Sequence, residues 1–288
     1  MIGWIDTIVQ GALLGGLYAL FALGQSVMFG VMRLTNVAQG DFIVLCAFAA
    51  FALGSTAGFG PLGALAFVLP LAVVFGYALQ RTVLNGTLGQ DPLPSLVVTF
   101  GLAIVIQNLL QEIFSADPRS IPSGAFSTAS VQLPGGIAVG ALPLAIFGIA
   151  VAATASLQWV FAHTAVGRVF RATSDDRETA ELMGLDARLV YAAATALAFA
   201  LIALAGLLQG MRTTVSPADG PALLLYAFEA VVIGGLGSFW GTLSGGIILG
   251  VTQAVGFRID PGWGIWLGHV VFLVVLLVRP EGLFPKMR

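Results

Sequence analysis

The sequence predicts an all-α fold: a polytopic transmembrane helical bundle of about eight spans, with one short cytoplasmic helix and one Gly-rich segment open to a re-entrant course. Three observations predict it. Hydrophobic residues make up 58% and charged residues 9% of the 288, with a mean hydropathy of +0.98. A soluble domain carries about 25% charged residues, so lipid must be the solvent for much of this surface. Apolar stretches of about 20 residues, the length needed to cross the hydrocarbon core, recur along the chain. The remaining charge is concentrated in a single interval. The net charge of -2 gives no basis for a nucleic-acid partner.

The stretches run near 8–30, 37–55, 62–80, 93–114, 142–162, 190–211, 223–238 and 264–279, with a further segment near 240–257. The first reads as a retained span and not a cleaved leader, because no basic residue precedes Arg33 and Asp6 is acidic. Residues 223–257 read either as two spans or as one span and a re-entrant piece. The glycines Gly234, Gly235, Gly237, Gly241, Gly245 and Gly246 mark the place for irregular backbone, tolerated at membrane depth only under protein cover. Counted strictly as spans, the segments put Arg33, Arg81, Arg168, Arg171, Arg177, Arg188, Arg279, Lys286 and Arg288 on one side. Arg119, Arg212 and Arg258 fall on the other. The positive-inside rule makes the first side cytoplasmic, with the N-terminus outside, the C-terminus inside and an odd number of crossings, seven or nine. Residues 115–141, with Pro118, Pro122, Ser123, Gly124, Pro134, Gly135 and Gly136, read as an irregular outer cap. The whole chain, 1–288, reads as one transmembrane domain.

Residues 168–188 are the polar interruption, holding nine of the chain's 26 charged side chains. Thr173 followed three residues on by Asp176 resembles a capping box. Asp175 and Asp176 would then occupy a first turn, where the helix dipole favours acid, and Gly184 would end the helix. About ten residues of helix follow, roughly 15 Å, with Ala180 and Met183 as a narrow apolar strip. Such a helix is either a solvated connector or a docking element for a cytoplasmic partner.

Five stretches carry a family resemblance: Gly16–Asp41 (GLYALFALGQSVMFGVMRLTNVAQGD), Val98–Asn108 (VTFGLAIVIQN), Arg171–Gly184 (RATSDDRETAELMG), Ile233–Gly250 (IGGLGSFWGTLSGGIILG) and Leu277–Phe284 (LVRPEGLF). In order and over nearly the whole length, the chain resembles the permease subunits of bacterial ATP-binding-cassette (ABC) importers for branched-chain amino acids, the high-affinity leucine/isoleucine/valine transport family. It looks most like the shorter H-type member. Glu178, Thr179, Ala180 and Gly184 fall on that group's E-A-A-x-x-x-G coupling signature, with Thr in second place. Gln39 stands where the family usually has His, in N-x-A-H-G-D. The resemblance implies a bacterial inner-membrane subunit that receives substrate from a periplasmic substrate-binding protein. It also implies a second permease subunit, homologous or identical, and two ATP-binding-cassette ATPase subunits. Coupling to those would involve Arg171, Asp175, Asp176, Arg177, Glu178, Glu181, Met183 and Gly184. The chain has no G-x-x-x-x-G-K-[ST] loop and its only lysine is Lys286, so it is expected to carry no cofactor, with ATP and Mg on the ATPase subunits.

Polar residues within spans are costly and often functional. Asn36, Gln39, Asp41, Gln107, Asn108 and Glu229 are the candidates for a translocation pathway. Plainer roles stand beside that reading: Asn36 as an N-cap with Asp41 early in the helix, Glu229 paired with an Arg or Tyr, and Gln107 or Asn108 bonding across helices. Cys46, the only cysteine, reads as a packing residue. His163 and His269 have no Cys, Asp or Glu at ligand spacing, so no metal site is expected, and no nucleophile–base arrangement suggests an enzyme. The alternative is an ion-coupled secondary carrier for a small polar solute, with Asp41 and Glu229 as coupling carboxylates and Gly-broken helices around them.

Overall fold

The computed structural model describes residues 2–88, 93–126, 128–133 and 137–284. Pro134, Gly135, Gly136, Lys286 and Arg288, which entered the sequence reading, lie outside them. The described residues form eleven α-helices and one small hairpin. The first half holds α1 (Ile2–Met32), α2 (Gln39–Ala57), α3 (Pro61–Thr82), α4 (Leu93–Phe114) and α5 (Ala141–His163). Two short helices follow, α6 (Ala165–Asp175) and α7 (Arg177–Leu182). The last four are α8 (Ala187–Arg212), α9 (Gly220–Gly234), α10 (Phe239–Ile259) and α11 (Trp263–Val278). Among the described residues, seven helices are long and apolar enough to cross a membrane: α1 to α5, α8 and α10. With 15 and 16 residues, α9 and α11 measure about 22 and 24 Å, short of the ~30 Å hydrocarbon core.

Burial sorts the helices. α1 and α8 are buried along most of their length, whereas α3, α4 and α5 turn apolar side chains such as Leu71, Phe75, Val97, Phe100 and Trp159 outward. Between helices in lipid there is little hydrophobic drive, so small residues and close backbone approach carry the packing. α1 runs antiparallel to α10 with Gly15 against the backbone of Gly246 and Ile247, and Gly11 against Gly250 and Val251. α3 runs antiparallel to α8, where Gly76 lies under the Phe199 ring and Gln80 Oε1 accepts from Thr195 Oγ1 at 2.7 Å.

The pairing reveals an inverted internal repeat. The set α1–α2–α3–α4 maps onto α8–α9–α10–α11: the contact of α1 with α10 corresponds to that of α8 with α3, and α2 beside α8 to α9 beside α1. α4 lies on α2 as α11 lies on α9. α1 and α8 themselves are antiparallel, with Gly24 beside Ala198 and Ile202. A sequence trace survives in Met32-Arg33 with Gly40, and Met211-Arg212 with Gly220. Both repeats bend inward after this pair. Gln39, at the start of α2, donates from Nε2 to the Phe21 carbonyl at 3.0 Å, about 16 Å of helix before α1 ends. The start of α9 meets it there: a Cβ on Gly40 would strike the Gly220 carbonyl, and one on Gly220 would strike Asp41. Two discontinuous helices thus begin face to face inside the bundle.

Several expectations are corrected. Gly241, Gly245 and Gly246 lie within the regular helix α10. Only Gly235 and Gly237, with φ of 110° and 80°, form the irregular turn between α9 and α10. The inward-bending connections are 33–38, which opens on Arg33 in the left-handed region (φ 54°), and 213–219, which opens on Thr213 in extended backbone (φ −140°, ψ 166°). Asn36 is not the N-cap of α2. Its Oδ1 accepts from the Ala38 amide at 3.1 Å and shapes the turn that leads into the helix. The outer loop is not wholly irregular. β1 (Ser130–Leu133) and β2 (Ile137–Gly140) pair antiparallel, Ser130 opposite Gly140, and Arg119 bridges Val215.

Candidate functional site

The polar interval folds as two helices, not one. Thr164 caps α6, its Oγ1 accepting from the Gly167 amide at 3.1 Å. Thr173 is therefore interior, donating to the Val169 carbonyl at 3.0 Å, and is not a cap. The chain breaks at Asp176 (φ −149°, ψ 103°), which caps α7. Its Oδ1 accepts from the Thr179 amide at 3.1 Å and its Oδ2 from the Thr179 hydroxyl at 2.6 Å. The Thr179 hydroxyl first, then the backbone amides, hold this carboxyl below its usual pKa of 3.8. Gly184, at φ 88°, ends the helix as the sequence indicates. The Gly184 and Leu185 amides bond back to the Glu181 and Ala180 carbonyls at 3.0 and 3.1 Å, a Schellman closure. Asp186 then caps α8 through the Arg188 amide at 2.9 Å.

This platform is anchored to the bundle. Ser174 Oγ donates to the Gly30 carbonyl at 2.7 Å, at the end of α1. Phe170 packs at a tilt against Phe161 of α5, which packs edge-on to Phe239 of α10. Arg171 turns inward and donates to the Phe161 carbonyl, so it holds the platform and does not face outward. Arg177 pairs with Glu181 at 2.9 Å, which supports its charged state, and its guanidinium lies 5.9 Å from the Tyr191 ring centroid. Asp175, Asp176, Arg177, Glu178, Glu181 and Met183 are exposed. The expected Ala180–Met183 strip is corrected: Ala180 is buried against the bundle. The exposed apolar pair is Leu182 and Met183, 87% and 80% accessible, on an otherwise charged tip. The sequence reading missed Leu182, because helical spacing alone does not say which face docks inward.

The six candidate pathway residues are not brought to one place. Asn36, Gln39, Asp41 and Glu229 are buried between helices. Asp41 Oδ1 accepts from Gln107 Nε2 at 2.8 Å, joining α2 to α4. Asn108 turns away, donating to the Ile104 carbonyl of its own helix. Glu229 pairs with neither Arg nor Tyr. Its Oε1 shares a 2.5 Å hydrogen bond with His269 Nδ1, which joins α9 to α11, the helix pair that corresponds to α2 and α4, but further along its helix than Asp41 is along α2. The forty-residue separation hid this contact from any spacing rule. A second buried bond runs from the Tyr18 hydroxyl to Gln253 Oε1 at 2.6 Å.

Near the ends of α8 and the first half of α1 lies a cavity of about 260 Å³. Its polar wall holds Tyr18, Tyr226, Gln209 and Arg212, and its apolar wall Leu14, Leu17, Phe21 and Leu223. None of the six candidates lines it. Arg212, read from the sequence only as a topology marker, does.

Residues 7–279 match the family model described as branched-chain amino acid transport system / permease component. The chain is 27% identical to the high-affinity branched-chain amino acid transport system permease protein BraD of Pseudomonas aeruginosa, over 98% of this chain and 96% of that protein. It is 25% identical to the corresponding LivH proteins of Salmonella typhimurium and Escherichia coli, each over 98% of this chain and 96% of the relative.

Proposed function

This chain belongs to the family of permease components of branched-chain amino acid transport systems, and from that premise we propose that it is a membrane-spanning subunit of an ATP-driven importer for branched-chain amino acids. A periplasmic binding protein delivers the amino acid to the outer face. This chain and a second permease, homologous or identical, enclose the path through the inner membrane. Two ATPase subunits, which carry ATP and Mg, seat on α7 and drive alternation between outward and inward access. The N-terminus lies outside and the C-terminus in the cytoplasm.

The α6–α7 platform is the observation that carries this reading. An exposed Leu182–Met183 pair ringed by Glu178, Glu181 and Arg177 suits insertion into a groove on a partner. A free surface gains nothing from two exposed large apolar side chains on a capped, rigid helix. The anchors at Gly30, Phe161 and Asp186 supply a stiff route from that tip to α1, α5 and α8. The inverted repeat and broken helices alone would equally suit a secondary carrier, but such a carrier has no use for the platform.

The test is co-purification with the ATPase subunits. Glu178→Lys with Glu181→Lys, or Leu182→Glu with Met183→Glu, should lower ATPase recovery at least tenfold while the permease keeps its thermal stability in detergent. Undiminished recovery and coupling in both double variants would remove the docking assignment. Gradient-driven uptake by the chain reconstituted alone would favour the carrier instead.

A further inference from the structure

We infer that the cavity at the end of α8 is a transient binding site for the zwitterion of an aliphatic amino acid, with Arg212 taking the carboxylate and Gln209 the ammonium. This deepens the importer reading and rests on it. Five observations on the cavity converge. Arg212 is half-buried and lines it, yet among the described residues it has neither an ion pair nor a hydrogen-bond acceptor. A guanidinium withdrawn from water toward a bundle interior is costly unless a partner meets it. The dipole at the end of α8 offsets part of that cost but offers no bidentate acceptor, which is what the planar fork of an arginine is built to grip.

Gln209 stands three residues earlier, on the same face of α8. Its Nε2 is spent on the Thr213 hydroxyl at 2.9 Å. That orients the amide and leaves Oε1 as the acceptor available to an ammonium group. Opposite, Leu14, Leu17, Phe21 and Leu223 form an apolar wall. One cation, one neutral acceptor beside it and an aliphatic wall describe a molecule with a carboxylate, an adjacent ammonium and a branched hydrocarbon side chain. The aromatic part of the polar wall is set in advance. Tyr18 and Tyr226 stack at 4.8 Å, and the Tyr18 hydroxyl is fixed by Gln253. Little side-chain freedom is then lost on binding. The volume of about 260 Å³ is just below the range of pockets for drug-sized ligands and suits one amino acid.

The test uses the complete transporter, this chain with its partner permease and ATPase subunits, in proteoliposomes supplied with leucine-loaded binding protein. Arg212→Gln should cut leucine uptake at saturating loaded binding protein at least tenfold. The concentration of loaded binding protein giving half-maximal uptake should shift by less than twofold. Arg212→Lys, which keeps the charge but not the fork, should recover part of the loss and guards against a folding defect. In the same transporter without binding protein, saturation-transfer NMR should show leucine contacting the protein and leucinol, which lacks the carboxylate, failing to compete. Three results would overturn the assignment: unchanged uptake in Arg212→Gln, an effect confined to the half-maximal concentration (a docking role), or leucinol competing as well as leucine. If the unaltered transporter takes up no branched-chain amino acid, the importer reading itself falls and this site with it. Uptake in the unaltered transporter without the Arg212 pattern removes the site alone.

Discussion

Single side chains hold this permease together where helices of lipid-like surface cannot. The Asp41–Gln107 bond is one such point. Replacing Gln107 with Leu leaves a buried carboxyl without its donor, expected to cost roughly 1–3 kcal/mol. An interhelical bond in a membrane averages only about 0.6 kcal/mol, and the excess is the cost of abandoning the carboxyl. Thermal unfolding in detergent should therefore fall clearly in Gln107→Leu, and Asp41→Asn added to it should restore part of the loss. Asp176 acts by local geometry instead. Its carboxyl is held below the usual range by the Thr179 hydroxyl and amide. For a depressed carboxyl the stabilisation is complete above the unfolded value of 3.8 and disappears as pH falls through the lower folded value. The cap on α7 should thus be constant between pH 5 and 8 and weaken only in stronger acid. Hydrogen exchange at the Thr179 amide should quicken severalfold in Asp176→Ala and little in Asp176→Asn, because Asn is also a good cap.

At the scale of elements, close approach decides what a glycine is worth. Gly40→Ala places a methyl on the Gly220 carbonyl, and backbone cannot step aside cheaply. Gly101→Ala on α4 meets nothing within 4 Å and should be neutral, or stabilising by up to about 1 kcal/mol from helix propensity. Melting curves of the two variants should separate sharply. The same contrast explains what could be read in advance. The spans were legible because length and apolarity are local properties, and Gly184 was legible as a helix end because a C′ glycine is local too. The break at Asp176 was not. Thr173-x-x-Asp176 and Asp176-x-x-Thr179 both offer caps, and only the earlier start of α6 at Thr164 decides between them. Glu229 with His269, and Tyr18 with Gln253, were illegible because helix crossing, not spacing, brings them together. The Met-Arg…Gly repeat did stand in the sequence. Its two copies differ by one residue in length, so no fixed period marks it.

For the whole molecule, the inverted repeat and the charge distribution make a joint statement about direction. Ser55 at the end of α2 and Asp175 on the platform are both exposed, and the proposed orientation, with the N-terminus outside, puts the first on the exterior and the second in the cytoplasm. Cys46 is buried, so an introduced cysteine is the reactive thiol. An impermeant maleimide applied to intact cells should label Ser55→Cys and spare Asp175→Cys, and inverted vesicles should reverse the pattern. Labelling in the opposite sense would turn the subunit over.

The glycine seam between α1 and α10 has a consequence in time. Gly15 and Gly246 are 231 residues apart in the chain, and at about 5–20 residues per second of synthesis the first helix waits tens of seconds for its main partner. α3 reaches α8 in about half that interval, with Gly76 and Phe199 123 residues apart. During that interval the notched face of α1 is bare in the bilayer, presenting small residues that any other small-residue helix would fit. Early assembly of the nascent chain therefore depends on shielding that face, by lipid or by an insertion factor, until the last quarter of the protein has been made.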